Sequence, residues 1–267
     1  MLPTEGKFFL LVNNECNLSV GIKNNRDDPA TPVVLCNQDD KQEHQIWFED
    51  PATGTIRSFA NNYCLTFTEV GKFAEISEYV PDSQTQQWKI GNGYVVHRSD
   101  PNKVLDANVP LNCGTKLCVS KNDGSNKWKA VYLKPKVFYI LSQLNKKAVE
   151  VYQSNEEPGA KIIMWSQKPK NENPTNQLWY EDKQGNVRSA LNNFVFDASV
   201  PGDVTMQPYE ETNVKKHWII YGHVICNRHN KKLVLDITNS DSDDAAPVGV
   251  WEYNGAKNQA WWIHFIN

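Results

Sequence analysis

Short apolar runs, each only a few residues long, alternate with polar clusters along the whole chain. Two examples are Phe138-Tyr139-Ile140-Leu141 and the segment from Lys232 to Ile237, which lie between clusters of Asn, Asp, Gly and Pro. No stretch keeps a helical period of 3.6 residues for more than three turns. Gly and Pro number 14 each and recur between the runs, as turns require. The pattern predicts an all-β fold of many short strands.

A repeat is superimposed on this pattern, because six tryptophans each follow a polar residue two positions earlier. They are Trp47, Trp88, Trp128, Trp179, Trp218 and Trp261. Successive members of this set are separated by roughly 40 to 50 residues. A longer period of roughly 130 residues relates the first three to the last three. The chain therefore contains six units of about 40 residues.

The longer period is also visible outside the tryptophans. The segment WFEDPATGTIRSFANN begins at Trp47, and WYEDKQGNVRSALNN begins at Trp179. Val104-Leu105-Asp106 likewise recurs as Val234-Leu235-Asp236, one long period further along the chain. Such agreement in register indicates an internal duplication.

Two domains follow from the duplication, one over residues 1–133 and one over residues 137–267. The border is the short polar stretch Leu133-Lys134-Pro135-Lys136, which is typical of a linker. One unit of about 40 residues cannot bury an apolar face by itself. Three units can close around a shared axis, with one tryptophan from each in a common core and few exposed strand edges.

Composition and charge narrow the functional classes. The 267 residues carry a formal net charge of −3, and basic residues are scattered, which argues against a nucleic-acid partner. No apolar run approaches the roughly 20 residues of a membrane span, so membrane insertion is not expected. The N-terminus has no pattern of a secretory signal, so we expect a cytoplasmic protein that could act outside the cell after non-classical release.

The six cysteines are unevenly distributed, with five in the first half and one in the second. A disulfide framework is therefore not indicated, and mostly reduced thiols fit an intracellular chain. Pairing of Cys16 with Cys36, or of Cys113 with Cys118, stays open at this point. No cofactor or metal is expected.

Three units of this length, each ending in Gln-x-Trp, resemble the β-trefoil of ricin B-type (R-type) lectins. Two such trefoils in tandem would cover the whole chain, and the second half is similar to the tandem-repeat galactose-binding lectins of earthworms. The resemblance implies twelve strands per half, arranged as a six-stranded barrel capped by hairpins. It also implies a sugar site in every unit that keeps an acid, an aromatic residue about 15 positions later, and Asn-Gln before the core Trp.

The chemistry of those residue types suits a galactose-type ring. A carboxylate accepts strong hydrogen bonds from two vicinal hydroxyls, and an aromatic ring offers a flat surface to the C–H face of the sugar. Asn can supply a donor and an acceptor to the same hydroxyls, while Gln is expected to brace the carboxylate and its loop.

Two units keep the full set of these residues. The sixth unit has Asp236, Trp251, Asn258 and Gln259, and the fourth has Glu150, Trp165, Asn176 and Gln177. Trp251 is expected to face a sugar, whereas Trp261 is expected to lie in the core. Glu150 replaces the Asp of the family, which lengthens the reach of the acid and increases the rotamer entropy lost on binding.

Four further positions in these units are weaker candidates. Gly249 and Ile163, two residues before each aromatic, could offer backbone contacts, and Asn254 and Lys168, three residues after, could contact a sugar edge. Packing or solvent exposure explains these four residues equally well.

The other four units keep only part of the set, so we expect the first domain to be mainly scaffold. Their residues at the expected positions are Ser19, Leu35 and His44 in the first unit, Thr66, Tyr79 and Thr85 in the second, Asp106, Cys118 and Ser125-Asn126 in the third, and Asp197, Tyr209 and Lys215-Lys216 in the fifth.

The sequence thus predicts a non-catalytic lectin that binds galactose or N-acetylgalactosamine glycans on glycoproteins or glycolipids and agglutinates cells. Two alternatives remain open. A trefoil can serve as a binding subunit or as a protein-interaction module with a different ligand. An enzyme is the other alternative, for which His223, Cys226 and His229 offer a metal spacing and Asp241, Asp243 and Asp244 an acidic loop, although no nucleophile motif is present.

Overall fold

The structure, a computed structural model, describes residues 5–51, 53–125 and 127–266 and consists of short β-strands joined by turns. Within those residues there are 24 strands and nine 3-10 helices of three or four residues each. The described helical segments are all too short or too polar to cross a bilayer. The predicted all-β class is confirmed.

The strands are numbered in chain order and fall into two sets of twelve. The first set is β1 (Phe9–Asn13), β2 (Ser19–Ile22), β3 (Val33–Cys36), β4 (Ile46–Asp50), β5 (Thr55–Ser58), β6 (Cys64–Thr66), β7 (Glu75–Ser77), β8 (Trp88–Gly91), β9 (Tyr94–His97), β10 (Lys103–Ala107), β11 (Leu117–Lys121) and β12 (Trp128–Tyr132). The second set is β13 (Phe138–Ser142), β14 (Ala148–Val151), β15 (Ala160–Trp165), β16 (Leu178–Glu181), β17 (Val187–Ser189), β18 (Val195–Asp197), β19 (Thr205–Gln207), β20 (Trp218–Tyr221), β21 (Val224–Asn227), β22 (Leu233–Ile237), β23 (Val248–Glu252) and β24 (Trp261–Phe265).

The 3-10 helices lie in the connections between strands. They span Lys23–Asn25, Glu43–Gln45, Gln84–Gln86, Tyr152–Ser154, Lys170–Glu172, Pro174–Gln177, Val214–Lys216, Thr238–Ser240 and Lys257–Gln259.

The chain forms two compact units. One comprises Lys7–Leu133, and the other comprises the chain from Lys134 onward together with Glu5 and Gly6. In the N-terminal compact unit, β1 pairs with β2, β4 and β12, and β8 to β11 form a separate four-stranded sheet. In the C-terminal compact unit, β13 pairs with β14, β16 and β24, and β20 to β23 form the four-stranded sheet. The same pairing offset by twelve strands confirms the duplication.

The repeated tryptophans fill the two cores, as predicted. Trp47, Trp88 and Trp128 lie in the core of the N-terminal compact unit, and Trp179, Trp218 and Trp261 lie in the core of the C-terminal compact unit. None of these six indoles is more than 2% exposed. Each is a large apolar side chain buried in a cluster to which all three repeats contribute, which is why one repeat alone cannot replace the trefoil.

Four of the six core tryptophans also fix the strands that carry the site positions. The indole N–H of Trp179 donates to the carbonyl of Val149 at 3.1 Å, and that of Trp128 donates to Leu105 at 2.9 Å. Trp47 and Trp88 donate in the same way to Val20 at 2.9 Å and Leu65 at 2.8 Å. The residue after each acceptor is the acid position of its unit. These residues are Gly21, Thr66, Asp106 and Glu150.

Candidate functional site

Strand register places an acid and an indole on one face of a hairpin in the sixth unit. Asp236 in β22 lies opposite Gly249 in β23, and Val234 lies opposite Trp251. Side chains alternate with a period of two, so the residue two positions after Gly249 projects on the same side as Asp236. Asp236 and Trp251 are therefore diagonal neighbours on one face of the sheet.

The amide pair anchors the acid of the sixth unit. Asn258 Nδ2 and Gln259 Nε2 both donate to Asp236 Oδ2, at 2.9 and 2.8 Å. Gln259 Nε2 also donates to the carbonyl of Glu252 at 3.1 Å, and its Oε1 accepts the backbone N–H of Asn254 at 2.8 Å. Gln259 thus braces both the carboxylate and the loop after β23, the role expected from the sequence.

Asn258 has a different role from the one expected. Its Nδ2 donates both to Asp236 and to the carbonyl of Ile237, at 2.9 and 3.2 Å. Both amide hydrogens are therefore used within the protein, and the polar atom that remains is the acceptor Oδ1. Asn258 Oδ1 and Asp236 Oδ1 are thus two hydrogen-bond acceptors at the site. They suit a ligand that donates from adjacent hydroxyls.

Burial of Asp236 affects its ionisation. The residue is 9% exposed, and this desolvation raises the pKa of the carboxyl above its ordinary value. The hydrogen bonds from Gln259 and Asn258 act in the opposite direction and lower the pKa. The carboxylate is thus a strong acceptor held in a partly dry environment.

Trp251 forms one wall of a cavity over this acid. The cavity has a volume of about 260 Å³ and is also lined by Asp236, Thr238, Asn239, Ser240, Val250, Asn254, Asn258 and Gly202. Trp251 is 62% exposed, whereas Trp261 is 2% exposed. The two tryptophans of the motif thus have the separate positions that the sequence predicted, one at the surface and one in the core.

The fourth unit repeats the hairpin with one electrostatic difference. Glu150 in β14 lies opposite Ile163 in β15, so Trp165 takes the position of Trp251. Gln177 Nε2 donates to Glu150 Oε2 at 2.8 Å, and Asn176 Nδ2 donates to the carbonyl of Val151 at 3.0 Å. The bracing of the sixth unit is reproduced here.

Lys168 occupies the acceptors of the fourth unit. Its ammonium lies 2.9 Å from Glu150 Oε2 and donates to Asn176 Oδ1 at 3.0 Å. Glu150 is only 5% exposed, whereas the Lys168 side chain is 26% exposed, so the carboxylate is shielded from water and the ammonium only partly. Asn254 is the equivalent residue in the sixth unit, because Gln177 accepts the backbone N–H of Lys168 just as Gln259 accepts that of Asn254. The sixth site has no such cation among the residues that line its cavity.

The two residues opposite the acids are buried by the fold. Ile163 is 5% exposed. At Gly249, a Cβ atom would lie 2.5 Å from the carbonyl oxygen of Gly202, so only glycine fits. Both residues set the spacing of the hairpin beneath the site.

The register corrects three positions expected in the first and third units. In the first unit Gly21, not Ser19, takes the acid position, and it lies opposite Val34. The aromatic position comes two residues after the partner of the acid, so it is Cys36, not Leu35. A Cβ at Gly21 would lie 2.9 Å from Cys36 Sγ, so the sulfur fills the space of the acid. In the third unit Asp106 lies opposite Cys118, which makes Ser120 rather than Cys118 the residue at the aromatic position.

The acids that remain in the third and fifth units are occupied internally. Asp106 accepts from the Ser120 hydroxyl and, at 2.7 Å, from the backbone N–H of Ala107. Asp197 accepts the N–H of Ser199 at 2.8 Å and lies 3.9 Å from the Lys216 ammonium. Asn126 of the third unit lies outside the described residues.

The tyrosines expected as partial aromatic positions are engaged by arginines. Tyr79 lies under the guanidinium of Arg57 at 4.6 Å, and Tyr209 lies under that of Arg188 at 4.3 Å. In the second and fifth units the register gives the aromatic position to Ser77 and Gln207 instead. His44 and Thr85, the other residues of the first two units, contact Asp27 and Ser83.

The residues considered for metal binding do not converge. Cys226 is fully buried in an apolar cluster, His223 lies 3.3 Å from the Tyr253 hydroxyl, and His229 lies 3.0 Å from His217. Across the described ranges, no group of three or more His, Cys, Asp or Glu side chains is arranged to hold a metal ion.

The acidic loop is held by contacts within the protein. Asp241 accepts the N–H of Asp243 at 2.9 Å, and Asp244 pairs with Lys147 at 2.9 Å. These contacts shape a turn and neutralise one of its three acids.

All six cysteines are free thiols, including both pairs left open by the sequence. Burial raises the pKa of both Cys36 and Cys118 to about 11, with smaller contributions from the neighbouring Cys113 and Asp106, respectively. Such thiols stay protonated at neutral pH and are poor nucleophiles.

Comparison with known proteins assigns the family. The model of the ricin-type beta-trefoil lectin domain matches the chain twice, over residues 7–129 and 136–261. A search of curated proteins found no match. The matched ranges cover most of both units, so the chain belongs to the ricin-type β-trefoil lectin family. The chain is thus a carbohydrate-binding protein of the lectin class, and its family is defined by binding rather than catalysis.

Several solved structures are similar to the chain. The C-half of an earthworm R-type lectin, crystallised with GalNAc, has 41% identity and a TM-score of 0.48, and the match covers 49% of this chain and 100% of that one. An earthworm lectin C-terminal domain mutant, solved with 6'-sialyllactose, has 39% identity and a TM-score of 0.46 over the same shares. The agglutinin from Abrus precatorius has 20% identity and a TM-score of 0.42, with 99% of each chain covered.

Proposed function

We propose that the protein binds galactose or N-acetylgalactosamine residues of glycoproteins and glycolipids through the sixth and fourth units of the second domain. One observation carries the proposal, namely the cavity in which Asp236 and Asn258 present acceptors beside the exposed indole of Trp251. A hexose with adjacent hydroxyls on one edge and a C–H face beneath fits acceptors and a ring in this arrangement.

The two sites are unequal under this proposal. At the sixth site the acceptors line an open cavity, so a sugar donates to them directly. At the fourth site a sugar must displace or share the Lys168 ammonium that contacts Glu150 and Asn176. We therefore assign the tighter binding to the sixth site and the weaker binding to the fourth.

Two sites on one domain allow the protein to bridge clustered glycans. Each shallow site binds one sugar weakly, and simultaneous engagement raises the apparent affinity by the effective concentration of the second site. Haemagglutination is the corresponding activity.

The test compares haemagglutination by the wild type and by the double variant Trp165→Ala plus Trp251→Ala. Both indoles lie at least partly at the surface, so the fold is expected to survive their truncation. Trp262→Ala is the matched control, because this indole is 47% exposed in the same domain but outside both hairpins. Loss of agglutination in the double variant alone supports the proposal, and agglutination at the wild-type titre would refute it.

A further inference from the structure

A second cavity adjoins the first at the Trp251 indole. It has a volume of about 450 Å³ and is lined by Ala198, Pro201, Leu233, Glu252 and the residues it shares with the first cavity. The shared residues are Gly202, Val250 and Trp251. The exposed indole of Trp251 therefore lines both cavities.

The two recesses differ in chemistry. The first is lined by the carboxylate and amides of the proposed sugar site, together with the hydroxyls of Thr238 and Ser240. The second is lined mainly by aliphatic and aromatic side chains, with Glu252 as its single charged residue among those that line it. A ligand that fills both recesses needs a hydroxyl-rich part and an apolar part.

The fourth unit has a charged residue at the position equivalent to Leu233. Trp165 pairs across its hairpin with Ala148, and Trp251 pairs with Val234. Lys147 and Leu233 come directly before these partners and are therefore equivalent. Lys147 forms an ion pair with Asp244 at 2.9 Å, and the same carboxylate accepts the N–H of Ser166 at 3.0 Å. Ser166 follows Trp165 as Glu252 follows Trp251. The equivalent surface of the fourth unit is therefore charged and hydrogen-bonded.

We propose that the second cavity is a subsite for an apolar aglycone attached to the sugar that the sixth site binds. The inference rests on the proposed function and adds a ligand class to it, namely galactosides with an aryl or alkyl group. The three lining residues that the two cavities share and the apolar lining of the second cavity support this occupant. The next sugar of a glycan is the competing occupant, and it would need several polar partners, of which the lining side chains other than Trp251 provide only the Glu252 carboxylate.

The experiment uses calorimetric titration of two single-site proteins. Trp165→Ala retains the sixth site, and Trp251→Ala retains the fourth. Each is titrated with methyl galactoside, phenyl galactoside and octyl galactoside in both anomeric forms, and with lactose. Burial of roughly 60 Å² of a phenyl ring corresponds to a gain on the order of tenfold over methyl galactoside. We expect this gain for at least one anomer at the sixth site and no gain at the fourth.

Two variants of the second cavity complete the design. In the Trp165→Ala background, Leu233→Lys introduces the residue type of the fourth unit, and Pro201→Ser changes an exposed residue that also lines the cavity. Each should reduce the phenyl gain towards onefold while methyl galactoside binds as before, which also shows that the variant is folded.

The outcomes separate the inference from the function on which it rests. An equal phenyl gain at both sites, or a gain that survives both variants, would overturn the subsite. A gain for lactose equal to that for phenyl galactoside would assign the cavity to a second sugar and would also overturn it. Failure of methyl galactoside to bind the Trp165→Ala protein would instead remove the proposed function, and the subsite with it.

Discussion

Replacement of Asp236 by Asn should separate its role in binding from its role in the fold. The two side chains have nearly the same shape, and an Asn oxygen can still accept from Asn258 and Gln259, which now donate to Asp236 at 2.9 and 2.8 Å. What the variant loses is the charge and one acceptor oxygen. The sugar would therefore lose charge-assisted hydrogen bonds, while the scaffold keeps its contacts.

The magnitude follows from the kinds of hydrogen bond involved. A bond to a charged group contributes about 1.5–3 kcal/mol, against about 0.5–1.5 kcal/mol for a neutral one. Two sugar hydroxyls on the carboxylate then account for a loss of about 2 kcal/mol, or roughly thirtyfold in affinity. The assay is calorimetric titration of N-acetylgalactosamine, one of the two proposed ligands, into Trp165→Ala with and without Asp236→Asn.

The Asp236→Asn variant should be at least as stable as its parent, although it binds the sugar less tightly. Burial raises the pKa of Asp236, so the fold favours the protonated acid. Ionisation therefore costs stability, and this cost is absent below the ordinary Asp pKa of about 3.9 and complete above the raised pKa. At pH 7 the Asn variant should melt at the same temperature as its parent or slightly higher.

The control for this prediction is Asp243→Asn, a change in an exposed acid of the same domain. It should alter neither binding nor the melting temperature. Wild-type affinity in Asp236→Asn would refute the role of the carboxylate in binding, and a large fall in its melting temperature would mean that the acid serves the fold.

Three further predictions test the electrostatics and the register. Sugar affinity at the sixth site should fall on acidification through the raised pKa of Asp236, hence at a higher pH than for an ordinary Asp; a profile unchanged down to pH 4 contradicts this. Glu150→Gln, which leaves a partly buried ammonium unbalanced, should lower the free energy of unfolding by about 2 kcal/mol in urea titrations, and no loss would mean that the ion pair is unimportant. The triple variant Gln207→Trp, Lys215→Asn and Lys216→Gln should add a site at the fifth unit and raise the calorimetric stoichiometry from two to three, whereas a stoichiometry of two would count against the register.

The parts of the structure set by repetition could be predicted from sequence. Six periodic tryptophans define the two cores, and the longer of the two periods defines the duplication. The residues of the proposed sixth site could also be grouped from sequence, because the acid and the indole are carried by the two strands of one hairpin. Local spacing determines such a pair once the strands are known.

Positions that depend on loop length could not be predicted in the same way. Counting residues in the first unit led to Ser19 and Leu35, whereas the strand register selects Gly21 and Cys36. The pairing of Lys168 with Glu150 likewise arises only when two strands and the following loop are folded together. Spacing along the chain does not indicate which side chain will neutralise a buried acid.

The second cavity depends on residues that are distant in sequence. Leu233 lies on the hairpin of the sixth site, while Ala198 and Pro201 come from the fifth unit. None of the three belongs to the repeated motif, so only the packing of the fifth and sixth units reveals the apolar surface that adjoins Trp251.

The central claim is that a hexose rests against two surface indoles and no others. The most direct measurement is fluorine NMR of the protein labelled with 5-fluorotryptophan, in which the nine tryptophans give assignable signals. Titration with methyl galactoside should shift the resonances of Trp251 first and Trp165 at higher concentration, and leave the six core tryptophans and Trp262 in place. Saturating sugar that leaves the Trp251 resonance unmoved would contradict the account.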